Sequence, residues 1–141
     1  ALNNAGISVM SHIGLKPQYS RQMGGFKVQG INNAQALLDD AKILEDAGAK
    51  MLLVEGTIAQ VATQITQNSN LPVIGIGSGA NTDGQVLVWS DMLGFFENFK
   101  PKFVKQFLNG ADLVRQSVNE YAKQVRSGEF PSSQHEYKFQ G

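Results

Sequence analysis

Met51-Leu52-Leu53-Val54-Glu55-Gly56 decides the fold: four consecutive apolar residues, a carboxylate and a glycine. A run apolar at every position offers water no face, which marks a parallel strand covered by helices. A carboxylate where such a strand gives way to a loop is held rigidly at a point a substrate can reach. Two segments of the same design flank it. Ile7-Ser8-Val9-Met10-Ser11-His12 reads as a strand closing on a histidine, and Pro72-Val73-Ile74-Gly75-Ile76-Gly77 as a strand closing on glycines. The three strand ends are expected to share one mouth.

Helices fill the intervals. Ala34, Leu37, Leu38, Ala41, Leu44 and Ala47 recur at three and four, with Asn32 or Asn33 to cap the start and Gly48 to end it. After Glu55, Thr57 stands three residues before Gln60 in a capping-box arrangement, and Ile58, Val61, Ala62 and Ile65 make the inward stripe of a second helix that stops near Asn68-Ser69-Asn70. A third runs from about Asn109 to Arg126, with Ala111, Val114, Val118, Tyr121, Ala122 and Val125 on one face, ended by Gly128 and Pro131. Val86-Leu87-Val88-Trp89 is expected to be a fourth strand, residues 129–141 a C-terminal tail, and Ala1–Gly6 the tail of a helix.

Strands separated by helices give an α/β fold with a parallel sheet. Four βα units leave open sheet edges, which barrels remove by closing. The expected fold of residues 1–141 is therefore the C-terminal half of an eight-stranded barrel, or a chain that pairs with another. The connection from Ile13 to Ile31 is long enough to be a lid or binding loop.

Composition narrows the function. Twelve Lys and Arg balance twelve Asp and Glu among 141 residues, so no long-range field draws nucleic acid or an anionic membrane. A small, locally steered ligand fits better. Cysteine is absent, which removes disulfides and thiolate metal sites and suits a cytoplasmic setting. No apolar run approaches the roughly 18 residues needed to span a bilayer, and the N-terminus carries no basic-then-apolar signal pattern.

Val9-Met10-Ser11-His12-Ile13-Gly14-Leu15-Lys16-Pro17-Gln18 and Gly24-Gly25-Phe26-Lys27-Val28-Gln29-Gly30 resemble the central signature of the ketopantoate hydroxymethyltransferases. The similarity continues through Ala47-Gly48-Ala49, Leu53-Val54-Glu55, Ile74-Gly75-Ile76-Gly77-Ser78-Gly79 and Asp83-Gly84-Gln85-Val86-Leu87-Val88, and reaches Gly128-Glu129-Phe130-Pro131. The resemblance implies a magnesium-dependent TIM-type (β/α)8 barrel. Such an enzyme transfers a hydroxymethyl unit from 5,10-methylenetetrahydrofolate to 3-methyl-2-oxobutanoate, giving 2-dehydropantoate for pantothenate synthesis in a cytoplasmic homo-oligomer.

Glu55 matches the family's proton acceptor; as an isolated strand-end residue it reads equally as a helix N-terminal cap. His12 matches a histidine of the active-site mouth, where an imidazole binds substrate oxygens or orients a carboxylate, the other reading being a structural histidine that holds the loop. Ser11 stands where the family usually has glycine and is expected beside the mouth. Phe26 and Lys27 would cover a pterin and meet a folate tail, or simply belong to an ordered connection. The resemblance places the metal ligands, two aspartates and a glutamate, on strands upstream of Ala1, together with a substrate-contacting lysine.

Gly75–Gly79 also invites a phosphate-cradle reading, which the second turn at Asn81–Gly84 disfavours; its small residues are expected instead to let substrate or folate approach the barrel top, and Asp83 reads as a turn residue in preference to a polar ligand. Asp91 resembles a metal ligand only in residue type and is not assigned as one, and His135, a single histidine near the terminus, reads as solvated in preference to metal-bound. Two other functions stay open: a non-catalytic half-barrel that binds a folate or a partner chain, and a related barrel acting on another 2-oxo acid.

Overall fold

The computed structural model describes residues 1–22 and 24–138. The chain divides into two compact units, Ala1–Leu87 and Val88 onward. In the first, β1 (Met10–Gly14), β2 (Met51–Glu55), β3 (Val73–Ile76) and β4 (Gly84–Gln85) form one sheet in the order β1-β2-β3-β4, parallel throughout. Sequential parallel order is what an arc of a (β/α)8 barrel requires. Helices α1 (Ala34–Asp46) and α2 (Ala59–Asn68) carry the crossovers between the first three strands.

The core lies between these helices and one face of the sheet. Ile13, Leu52, Val54 and Val73 point one way by strand alternation and meet Leu37, Ala41, Val61, Ala62 and Ile65. Each of the four strand residues is at most 1% exposed. Their burial, at roughly 1.5–3 kcal/mol for a full aliphatic side chain, is what fixes the register. The α1 boundaries agree with the periodicity, and Gly48 at φ +93° turns the chain into β2.

Four local expectations are corrected. The histidine does not close its strand: β1 starts at Met10 and runs two residues past His12, because β2 remains available as far as Glu55, which pairs with Gly14. The fourth strand is Gly84–Gln85 rather than Val86–Trp89, since β3 ends at Ile76 and the last bond to it is from Val86 N to Gly75 O, 3.0 Å. The Thr57–Gln60 capping box does not form; Ile58 holds the cap position of α2, and the Thr57 hydroxyl is turned back onto the Glu55 carbonyl. Ala1–Gly6 contains only the short 3-10 turn Asn3–Ala5.

The second unit holds α3 (Trp89–Met92) and α4 (Gly110–Ser127). The loop between them returns to the end of α3, Phe107 N donating to Met92 O and Gly110 N to Leu93 O, both at 2.8 Å. Gly128, at φ +79°, ends α4 as expected. Residues 129–138 carry local order: Phe130 meets Tyr121 edge-on, and the turn Ser133–His135 is closed by a bond between Ser132 and the His135 ring. Residues 139–141 of the expected tail lie outside the described residues. Among the described residues, no helix is long and apolar enough to cross a membrane.

Candidate active site

The sheet has a second face, and the candidate residues are on it. Register pairs His12 with Leu53 and Gly14 with Glu55, so His12, Gly14, Leu53 and Glu55 share the side opposite the core. His12 Nε2 lies 3.2 Å from Glu55 Oε2, with the two side chains 28% and 17% exposed. The distance is that of an ion pair, but Nε2 is buried and, among the described residues, has no hydrogen-bond partner of good geometry. A buried, unsatisfied ring nitrogen beside a carboxylate is a group prepared for something else to bind.

Burial pushes the Glu55 carboxyl above the ordinary glutamate value, because losing water penalises the charged form. The neighbouring His12 pulls it partly back. The balance leaves a more basic carboxylate than one in water, which is what proton abstraction from a weak acid demands.

The corner that carries Glu55 is tied down from three sides. Its carbonyl accepts from Leu15 N at 2.8 Å and from the Thr57 hydroxyl at 3.1 Å. Gly56 N donates to Ile76 O, and Gly56 O accepts from Gln29 N. Gln29 thereby bridges the long loop after β1 to the segment following Glu55, and its own carbonyl accepts from Ile58 N. Gly14 takes φ +86° here, and a Cβ on it would collide with the Glu55 carbonyl and the Thr57 hydroxyl.

Other expected residues lie elsewhere. Alternation puts Ser11 on the face away from His12, where it lines a hollow of about 270 Å³ with Leu44, Ala47 and Gly48 at the N-terminal edge of the sheet. It is not beside the mouth. Phe26 is 69% exposed and Lys27 is exposed in the loop. Asp83 accepts from Val73 N at 2.8 Å, a structural tie at the start of β3. Ser78 of the glycine-rich stretch turns its hydroxyl inward and is 1% exposed, and Gly79 packs on Ala59, so these two small residues serve internal contacts. Asp91 sits in α3 and His135 bonds Ser132.

Comparison with known proteins decides the lineage. The model of the family described as ketopantoate hydroxymethyltransferase matches residues 1–133. This chain belongs to that family. It is 61% identical over 135 residues to the 3-methyl-2-oxobutanoate hydroxymethyltransferase of Campylobacter curvus, covering 94% of this chain and 50% of the relative. The same-named proteins of Wolinella succinogenes and Helicobacter pylori (strain HPAG1) are 58% and 51% identical, each over 138 residues, covering 96% of this chain and 53% and 51% of their own lengths. The chain thus spans about half the length of the curated relatives it matches. The resemblance read from the motifs and the α/β, TIM-barrel-type fold of the family agree with this membership.

Magnesium is a different matter. Among the described residues, no group of three or more His, Asp or Glu converges to hold a metal ion. The pair that does converge is one carboxylate and one imidazole, whereas magnesium takes hard oxygen donors in near-ideal octahedral geometry. These residues do not by themselves fit a magnesium site.

Proposed function

We propose that Glu55 is the general base of a hydroxymethyl transfer from 5,10-methylenetetrahydrofolate to 3-methyl-2-oxobutanoate, giving 2-dehydropantoate. The observation that carries the proposal is the Glu55 carboxylate itself: at the end of β2, off the core face, beside His12 and made more basic by burial.

The chemistry follows from the acceptor. A proton on the carbon next to a ketone is weakly acidic, and Glu55 takes it from C3 as the C–H electron pair becomes the C2–C3 double bond and the carbonyl π pair moves onto the keto oxygen. His12 Nε2, which lies 3.2 Å from Glu55 Oε2 without a hydrogen bond of good geometry, is placed to hydrogen-bond a substrate oxygen and so hold C3 against the carboxylate. Water hydrolyses the methylene bridge, breaking both of its C–N bonds to leave tetrahydrofolate and a carbon at the formaldehyde level. The enolate carbon bonds to that carbon as its C=O pair moves onto oxygen, and the proton held by Glu55 returns to make the hydroxyl. Magnesium stays in the proposal as a requirement of the whole protein, with its ligands outside this chain, and no step here is routed through it. A neutral overall charge supports small-molecule partners, a 2-oxo acid and a folate, in place of nucleic acid or membrane. We place the protein in the cytoplasm as a homo-oligomer.

In the full-length protein, Glu55→Gln lowers turnover by about 10³-fold, within the range a positioned base supplies, and leaves calorimetric binding of the 2-oxo acid within a few-fold of the wild type. Wild-type turnover would remove Glu55 from the role.

A further inference from the structure

We infer that Ser78 and Thr57 form a positioning pair for Glu55, holding its strand-end corner at a fixed depth on the sheet. The inference rests on Glu55 being the base. Ser78 comes from the loop after β3, more than twenty residues beyond Glu55, and Thr57 from the turn before α2. Both are almost completely buried, at 1% and 2% exposure.

Their bonds bracket the glutamate. The Ser78 hydroxyl lies 2.9 Å from Val54 O and 3.2 Å from Ile76 O, and accepts from Thr57 N at 3.2 Å. A hydroxyl has one proton to give and two lone pairs. It donates to the residue before Glu55 or to the end of the adjacent strand, and accepts from the second residue after Glu55. The Thr57 hydroxyl then fastens the carbonyl of Glu55 itself at 3.1 Å. The chain from Val54 to Thr57 is thus wrapped around one oxygen, with Gly56 at φ +55° making the bend.

The consequence is mechanical and electrostatic. A misplacement of about 1 Å between a base and its carbon can cost on the order of 100-fold in rate. A corner free to swing outward also lets water reach the carboxylate. Loss of the bracket therefore moves two observables together: turnover falls, and Glu55 becomes a more ordinary acid.

The test compares Thr57→Val, Thr57→Ser, Ser78→Ala and Glu55→Gln in the full-length protein, with kcat and KM for the 2-oxo acid followed across pH and folding checked by thermal melts. Val matches the shape of Thr without its hydroxyl, and Ser restores the hydroxyl. The expected result is a roughly 10-fold fall in kcat for Thr57→Val and Ser78→Ala, KM within about twofold, and the acidic limb of the kcat profile displaced to lower pH. Thr57→Ser should return kcat and the limb to near wild type. Folded Thr57→Val and Thr57→Ser with the same kcat and the same acidic limb as the wild type would overturn the inference, as would a Thr57→Ser that fails to rescue. Full activity in Glu55→Gln would instead overturn the assignment of the base, a result separable from either.

Discussion

The two faces of the β1–β3 sheet are built from alternate residues of the same short strands, yet they do opposite things. On the helix side, Leu52, Val54 and Val73 are fully buried and Ile13 is 1% exposed. On the other, Met10 and Met51 are 45% and 36% exposed, and Glu55 and His12 meet among them. One face spends its side chains on cohesion. The other keeps a partly desolvated carboxylate beside an imidazole nitrogen that makes no hydrogen bond of good geometry, an arrangement that costs stability unless it has a use. The difference teaches that stability and chemistry are separated by a single step along each strand, and substitutions should show that separation.

The largest expected stability effect is on the core side. Leu52→Ala should destabilise the full-length protein by about 3 kcal/mol, within the usual range for a buried leucine, and leave the pH profile of the surviving activity unchanged. Chemical denaturation with a parallel rate profile checks both, and a displaced profile would break the separation.

His12→Leu should act in the other sense, with little loss of stability. Removing the imidazole removes what pulls the Glu55 carboxyl down, so the acidic limb of kcat should move to higher pH and KM for the 2-oxo acid should rise. A limb that stays in place would mean that His12 does not act on Glu55.

Glu55→Gln should also reveal a cost. Burial raises the folded value of Glu55 above its unfolded value near 4.3, so protonation favours the fold, and that contribution is lost as pH rises from the unfolded value through the folded one. The amide cannot ionise. The variant should melt higher than the wild type at pH 7, with the advantage shrinking towards pH 4. A wild type that melts higher at both pH values would contradict the desolvation.

Glu45 sharpens the contrast with the smallest effect. At the end of α1 it accepts from Asn70 and Ser69, bonds that hold it below the ordinary glutamate value. Its contribution is present above the unfolded value and fades as pH falls through the folded one. Glu45→Gln should therefore lower the melting temperature slightly at pH 7, the opposite sign from Glu55→Gln. Two glutamates ten residues apart thus separate a carboxylate that supports the fold from one that costs it stability.

Much of this was legible because periodicity is a strong signal. The stripes of α1 and α2 face the core where the spacing predicts, except at Ala47, which is exposed just past the end of α1, and Gly48 and Gly128 both take positive φ just beyond the helices they end. The stripe of α4 shows the limit of the same signal: Val114, Val118, Tyr121 and Val125 are about half exposed, because spacing defines a face without supplying what buries it. Strand phase was harder. Ile7–Val9 and Val86–Trp89 are apolar enough to read as strands, but pairing partners set the ends, and β2 and β3 offer theirs elsewhere. Glu55 was visible as a charge at the end of an apolar run. Ser78 and Thr57 were not visible as a unit, because a serine among glycines reads as a turn and a threonine before a helix reads as a cap; only hydrogen bonds spanning 21 and 24 residues disclose the bracket.

The most direct test of Glu55 as the base is exchange of the C3 hydrogen of 3-methyl-2-oxobutanoate for deuterium, followed by proton NMR in D2O with the full-length protein and without folate, so that proton abstraction is read apart from transfer. The account predicts catalysed exchange by the wild type and a rate at least about 100-fold lower with Glu55→Gln. Undiminished exchange by the variant would contradict it and place the base on another residue.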